Sequence, residues 1–149
     1  LRRRPALEQL ILVGNPGVGK TTFSRIIHKV LYAFGVVKED VYVEKNALQL
    51  KGQYVGQTAP QVQDAVKDAM GGCLFLDEAY ALVQGGGDSF SGEAIRMLLT
   101  EVENNRTNIL VILAGYGTAG RLAYSCFLLA VLLLTRFFHQ SLASLLVYL

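Results

Sequence analysis

Gly14, Asn15, Pro16, Gly17, Val18, Gly19, Lys20, Thr21 and Thr22 fit the spacing G-x-x-x-x-G-K-[ST]. Each position has a chemical use. Glycines let backbone N–H groups turn toward an anion, Lys20 can reach the β- and γ-phosphates of a nucleotide, and the Thr21 hydroxyl can ligate Mg²⁺. The flanks fit as well: Leu10, Ile11, Leu12 and Val13 read as a buried strand. Phe23, Ile26, Ile27, Val30, Leu31 and Phe34 recur at helical spacing over residues 22–34. A strand, a glycine loop and a helix are the context the motif requires. The alternative, a glycine-rich turn with a chance lysine, does not explain the full spacing.

A second cluster decides what such a site would do. Cys73, Leu74, Phe75 and Leu76 form an apolar strand ending in Asp77 and Glu78. In proteins with a phosphate loop this strand is expected beside the one that feeds the loop, so both carboxylates face the nucleotide. Asp77 would hold Mg²⁺ and Glu78 would polarise the water that attacks the γ-phosphate, with Lys20 stabilising the charge. An isolated acid pair that caps a strand is the plainer reading. The neighbouring phosphate loop argues against it.

The elements that position these groups follow from periodicity and breakers. Gly35 stops the first helix, and Val41 to Glu44 alternate like a short strand. Residues 51–57 form a loop with Tyr54 between glycines. Thr58 and Gln61 have capping-box spacing ahead of a stripe of Val62, Ala65, Val66, Ala69 and Met70. Gly71 and Gly72 end that helix. Beyond Gly85, Gly86 and Gly87, the residues Ala94, Ile95, Met97, Leu98, Leu99 and Val102 mark a third helix, and residues 109–114 a fully apolar strand. Strands alternating with helices imply an α/β fold, a three-layer sandwich around a mostly parallel sheet.

Composition sets limits. The 149 residues suffice for one domain with a buried core, and a net charge of +2 argues for no nucleic-acid partner. Arg2, Arg3 and Arg4 read as a solvated terminal cluster. Cys73 and Cys126 lie in apolar runs without disulfide or zinc spacing, which points to a reducing intracellular compartment, the cytoplasm or an organelle stroma. His28 and His139 read as surface or packing histidines. The chain starts with Leu1 and enters its first strand at once, as a fragment or processed chain would, and no signal-peptide pattern precedes that strand.

In their order, these motifs resemble the AAA+ ATPases, in particular the branch of red-type rubisco activase and stage V sporulation protein K. The resemblance rests on GNPGVGKTT at residues 14–22, GQYVGQTAP at 52–60, GGCLFLDEAY at 71–80, EAI at 93–95 and ILAGY at 112–116. It covers residues 12–116, about two-thirds of the chain. It implies a P-loop NTPase core that binds ATP and Mg²⁺, hydrolyses ATP, and works as a homo-oligomeric ring on a protein substrate. It also implies that Tyr54, Val55 and Gly56 form a pore loop gripping that substrate, with Tyr54 packed on its own domain as the alternative.

The same comparison leaves gaps after Tyr116. An arginine finger, the last core strand and a helical lid are not recognisable there. Arg121 and Arg136 sit in the wrong surroundings for a finger, and a first sensor would align near Tyr116. The core is therefore expected to be incomplete, with residues 1–116 as nucleotide-binding core and 117–149 as an apolar tail of uncertain origin. Residues 122–149 contain no Asp or Glu, and Arg136 and His139 interrupt the apolar run before it could span a bilayer. A read-through, frameshift or gene-model error after Gly117 would produce such a tail, which would leave the chain poorly soluble. Two other function classes stay open at this point: a hydrolysis-defective nucleotide-dependent scaffold, and a DNA-associated motor, the latter disfavoured by the near-neutral charge.

Overall fold

The structure, a computed structural model, describes residues 7, 9–50, 57–82, 89–116 and 145–148. In chain order the elements are β1 (Leu10–Val13), α1 (Lys20–Ala33), β2 (Tyr42–Asn46), α2 (Thr58–Asp68), β3 (Cys73–Asp77), α3 (Ser89–Asn104), β4 (Leu110–Gly115) and β5 (Leu145–Tyr148). Short 3-10 turns follow β2 at Ala47–Leu50 and β3 at Ala79–Leu82.

The strands form one sheet in the order β2-β3-β4-β1-β5, with every neighbouring pair parallel. Parallel pairing requires crossovers, and crossovers are right-handed. The step from β1 to β2 runs one way along the sheet and the steps from β2 to β3 and β3 to β4 run the other. That puts α1 on one face and α2 and α3 on the opposite one. Strand residues alternate accordingly. Ile11, Val13, Leu74, Leu76, Val111 and Leu113 pack with Val62, Val66, Ala94 and Leu98, whereas Leu12, Phe75, Ile112 and Ala114 pack with Phe23, Ile27 and Leu31. Both faces of β3 and β4 are buried, which is why these strands carry apolar residues without alternation.

The close contact of β2's entry with β3 depends on one glycine. A Cβ on Gly72 would stand 2.0 Å from the Val41 carbonyl oxygen, which accepts a hydrogen bond from the Cys73 N–H at 2.8 Å. Any side chain there would push the edge of the sheet apart.

Several expectations change. β3 is not adjacent to β1: β4 lies between them, paired with both. Local sequence marks strands but not their lateral order, and here the third crossover inserts β4. The apolar residues of α1 do not all turn inward. Phe23, Ile27 and Leu31 pack inward, but Ile26, Val30 and Phe34 are 55%, 46% and 81% exposed, while Ser24 and His28 are fully buried. Thr58 does not cap α2; Gln57 holds that position and Thr58 is already helical and buried. The last core strand, not recognised in the sequence, exists: β5 pairs with β1 from Leu10 opposite Leu145 to Val13 opposite Tyr148. A four-residue apolar run satisfies the backbone of β1 on its open side, and surrounding residues equally rich in leucine had hidden it. Among the described residues, no helix is long and apolar enough to cross a membrane.

Candidate functional site

The phosphate-type loop runs from the end of β1 into α1. Its first residue is tied to the neighbouring strand β4, because the Gly14 N–H donates to the Gly115 carbonyl at 3.2 Å. Gly17 and Gly19 have φ of 78° and 89°, the left-handed region that glycine occupies without strain, and a Cβ at either would meet nothing within 4 Å. The glycines are there for backbone direction, and the space above them is open. Gly19 caps α1 without a side-chain hydrogen bond, and the first turn carries no acidic residue. First-turn N–H groups of a helix have no intrahelical acceptor, so this end is suited to an anion.

Lys20 is 9% exposed. Its Nζ donates to the carbonyls of Gly14 at 3.0 Å and Asn15 at 2.9 Å and lies 5.1 Å from the centroid of the Tyr116 ring. No carboxylate pairs with it among the described residues, so its charge is held only by dipoles and a π face. Thr21 and Thr22 follow it into the same cavity. Asn15 contributes its carbonyl, and Val18 is 47% exposed on the outer side of the loop. Pro16, Gly17 and Gly19 line the cavity directly.

That cavity, of about 310 Å³, is lined also by Asp77, Glu78, Tyr80, Gly115 and Tyr116. The expected acid pair therefore faces the loop, even with β4 between the two parent strands. Asp77 ends β3, and its Oδ1 accepts the Glu78 N–H at 2.9 Å. Glu78 has φ 53°, a left-handed conformation uncommon outside glycine. The turn carries its side chain away from the line of β3 toward the end of β2. There Glu78 Oε2 accepts a hydrogen bond from Asn46 Nδ2 at 2.8 Å.

Asn46 was missed in the sequence. It pairs with Asp77 in the β2–β3 register, and its Oδ1 accepts the Leu48 N–H at 2.9 Å, so its amide is held at both ends. A polar residue closing a strand beside an acid-ended strand is the available signal, but its partner lies 32 positions away. Tyr80 and Tyr116 were also missed as cavity walls; their rings meet at 5.4 Å. Burial, then the nearby Glu78 charge, pushes the Tyr80 phenol upward.

Behind the loop, α1 and β2 share a polar seam. Ser24 Oγ donates to the Thr21 carbonyl at 2.7 Å and meets the Tyr42 hydroxyl at 2.5 Å. His28, 1% exposed, bonds Asp40 Oδ1 through Nε2 at 3.0 Å, while its Nδ1 has no partner. It is thus a packing histidine, buried rather than at the surface. Lys29 and then His28 hold the Asp40 carboxyl below its ordinary range. Among the described residues no cluster of His, Cys, Asp and Glu could hold a metal on its own. The proposed pore-loop residues Tyr54, Val55 and Gly56 lie outside the described residues, as do Arg121, Cys126, Arg136 and His139.

Comparison with known proteins gives the family. Residues 10–123 match the family described as "ATPase family associated with various cellular activities (AAA)". Stage V sporulation protein K of Bacillus subtilis is 40% identical over 107 residues, which cover 72% of this chain and 33% of that protein. The chloroplastic ribulose bisphosphate carboxylase/oxygenase activase of Cyanidioschyzon merolae is 42% identical over 104 residues, covering 69% of this chain and 36% of the activase. The chain thus spans about a third of the length of these curated relatives. The crystal structure of the FIGL-1 AAA domain in complex with ADP superposes with a TM-score of 0.53 at 21% identity, over 73% of this chain and 36% of that one, and so bears on the fold alone.

Proposed function

The chain belongs to the family of ATPases associated with various cellular activities, and from that premise we propose that its cleft binds Mg-ATP and that hydrolysis there drives remodelling of a protein partner. The observation that carries the reading is a single cavity lined by Lys20, Thr21, Asp77 and Glu78. On ATP binding, the Lys20 ammonium exchanges its two carbonyl partners for β- and γ-phosphate oxygens, and the first-turn N–H groups of α1 take the rest of the charge. Thr21 and Asp77 fit Mg²⁺, because a hydroxyl and a carboxylate lining one cavity supply the kind of oxygen donors this ion takes alongside phosphate. Bound there, Mg²⁺ would neutralise charge on the β- and γ-oxygens.

Glu78 is the base that orients and polarises the attacking water. In the present arrangement the Asn46 amide donates to one of its oxygens at 2.8 Å and holds the side chain toward the end of β2. Asn46 therefore restrains Glu78 until that bond is released. Remodelling, ring assembly and a pore loop at Tyr54, Val55 and Gly56 belong to the same proposal. Remodelling is supported by the likeness to a relative named as an activase of another protein, ribulose bisphosphate carboxylase/oxygenase. The division into a core of residues 1–116 and an apolar tail of 117–149 is kept in amended form, with β5 counted into the sheet. A reducing compartment is supported by the buried, unpaired Cys73.

Calorimetry on folded protein tests the binding half. Lys20→Ala is expected to abolish Mg-ATP binding; unchanged affinity would remove the central claim. Glu78→Gln tests the chemistry in a full-length relative. It should retain ATP while lowering turnover by about 10² or more, and turnover at the parent rate would show that the base is another group.

A further inference from the structure

α1 buries Lys20, Ser24 and His28 at successive four-residue intervals, one polar line on an otherwise mixed helix. Lys20 serves the cleft. The next residue in the line, Ser24, is 0% exposed and makes two hydrogen bonds. A hydroxyl has one proton, and Ser24 Oγ gives it to the Thr21 carbonyl, whose oxygen can only accept. The Tyr42 phenol is therefore the donor to Ser24 Oγ.

Tyr42 is itself held from three sides. Its ring stacks on Phe75 with centroids 6.1 Å apart and planes 22° apart, meets the His28 ring at 5.6 Å, and lies 5.9 Å from the Arg25 guanidinium. Phe75 stands on β3 two residues before Asp77. One side chain thus rests its ring on the strand that carries Asp77 and, through its hydroxyl, grips the turn that carries Thr21.

We propose that Tyr42 is a positioning residue that sets the separation of the Thr21 hydroxyl from the Asp77 carboxylate, and so tunes Mg²⁺ affinity; this rests on the assignment of those two groups to Mg²⁺ under Proposed function. Mg²⁺ demands near-ideal octahedral geometry, so a small shift between two of its oxygen donors weakens it sharply. Phosphate held by several backbone N–H groups is far less sensitive to one turn of α1 relaxing. Without the phenol hydroxyl, the buried Ser24 oxygen loses its donor, and this end of α1 keeps the more exposed Arg25–Glu44 ion pair as a side-chain tie to β2.

The test is an Mg²⁺ titration of ATP binding by calorimetry, with ATP affinity in EDTA measured alongside, on the parent chain, Tyr42→Phe, Ser24→Ala, the double variant and Thr21→Ala. Tyr42→Phe keeps the ring stack. It should raise the Mg²⁺ midpoint roughly fivefold while the affinity for ATP in EDTA stays at the parent value. Ser24→Ala should do the same from the other end of the bond, and the double variant should be no worse than either single one. If Tyr42→Phe lost its thermal transition, Ser24→Ala would carry the measurement alone. A purely structural role would lower both affinities together, and that result overturns the inference. An unmoved midpoint in Tyr42→Phe with a shifted one in Thr21→Ala also overturns it and leaves the metal assignment standing. An unmoved midpoint in Thr21→Ala removes the metal assignment and the inference with it.

Discussion

The two faces of the sheet are built for different purposes. Under α2 and α3 the contact is mostly apolar: Val62, Ala65, Val66, Ala94, Leu98 and Val102 meet Ile11, Leu74, Leu76, Val111 and Leu113, with Thr58 a buried polar exception. Under α1 the helix turns Lys20, Ser24 and His28 inward and leaves Ile26 and Val30 to solvent. An apolar face can slide by a fraction of an ångström at small cost, because dispersion and burial have no direction. A seam of hydrogen bonds cannot, because each bond has a length and an angle. The helix that opens the anion site is thus fixed by directional contacts, and the two helices behind the acid strand mainly supply stability.

The largest effect that would break this comparison is on stability alone. Leu74→Ala, on the α2–α3 face at 0% exposure, should destabilise the fold by about 2–5 kcal/mol. Nucleotide affinity per folded molecule should stay at the parent value. Denaturant unfolding with and without ATP checks this; a change in affinity as large as the change in stability would mean that the two faces are not separable.

Alkaline pH should act on the seam next. Burial pushes the Tyr42 phenol up from its ordinary 10.0 to about 12 and the Cys73 thiol up from 9.0 to about 12. Both groups favour the protonated form when folded. Their contribution is therefore complete below the unfolded values and is lost as pH rises from 9 through about 12. The unfolding midpoint should fall over that window, and Tyr42→Phe should make the fall shallower, leaving the Cys73 part. An identical slope in parent and variant would show that the phenol is not held as described.

The smallest expected effect sharpens the same contrast. Ile26→Gln and Val30→Gln, on the outward side of α1, should each change stability by no more than about 0.5 kcal/mol. A loss of 2 kcal/mol or more by thermal unfolding would mean that these side chains are covered, and that α1 has an apolar partner.

What the sequence revealed follows from the range of each signal. Residues 14–22 and the pair Asp77 and Glu78 were legible because their chemistry is written in consecutive positions. The helices and strands were legible from periodicity, to within a few residues. The seam was not. Ile26 and Ile27 are adjacent and offer two possible stripes, and only packing decides that the one through Phe23, Ile27 and Leu31 turns inward. Asn46 escaped because its partner is remote in sequence, and the place of β4 between β1 and β3 because no local pattern encodes lateral order. β5 was hidden by composition, since one four-residue strand among leucines has no contrast. The family resemblance was carried by motif order, and the match over residues 10–123 bears it out.

The position of β1 between β4 and β5 also bears on how the protein comes to be folded. Leu10 must find Ile112 on one side and Leu145 on the other, so the strand that feeds the glycine loop precedes both of its neighbours in the chain and waits for each of them. Both closures are long, and the entropy of each must be met before its contacts form. Until then the loop has a flexible base, and an anion bound across Gly17, Gly19 and Lys20 would favour those chain conformations in which β1 has already docked. In this topology a nucleotide bound at the loop would act as a late folding partner.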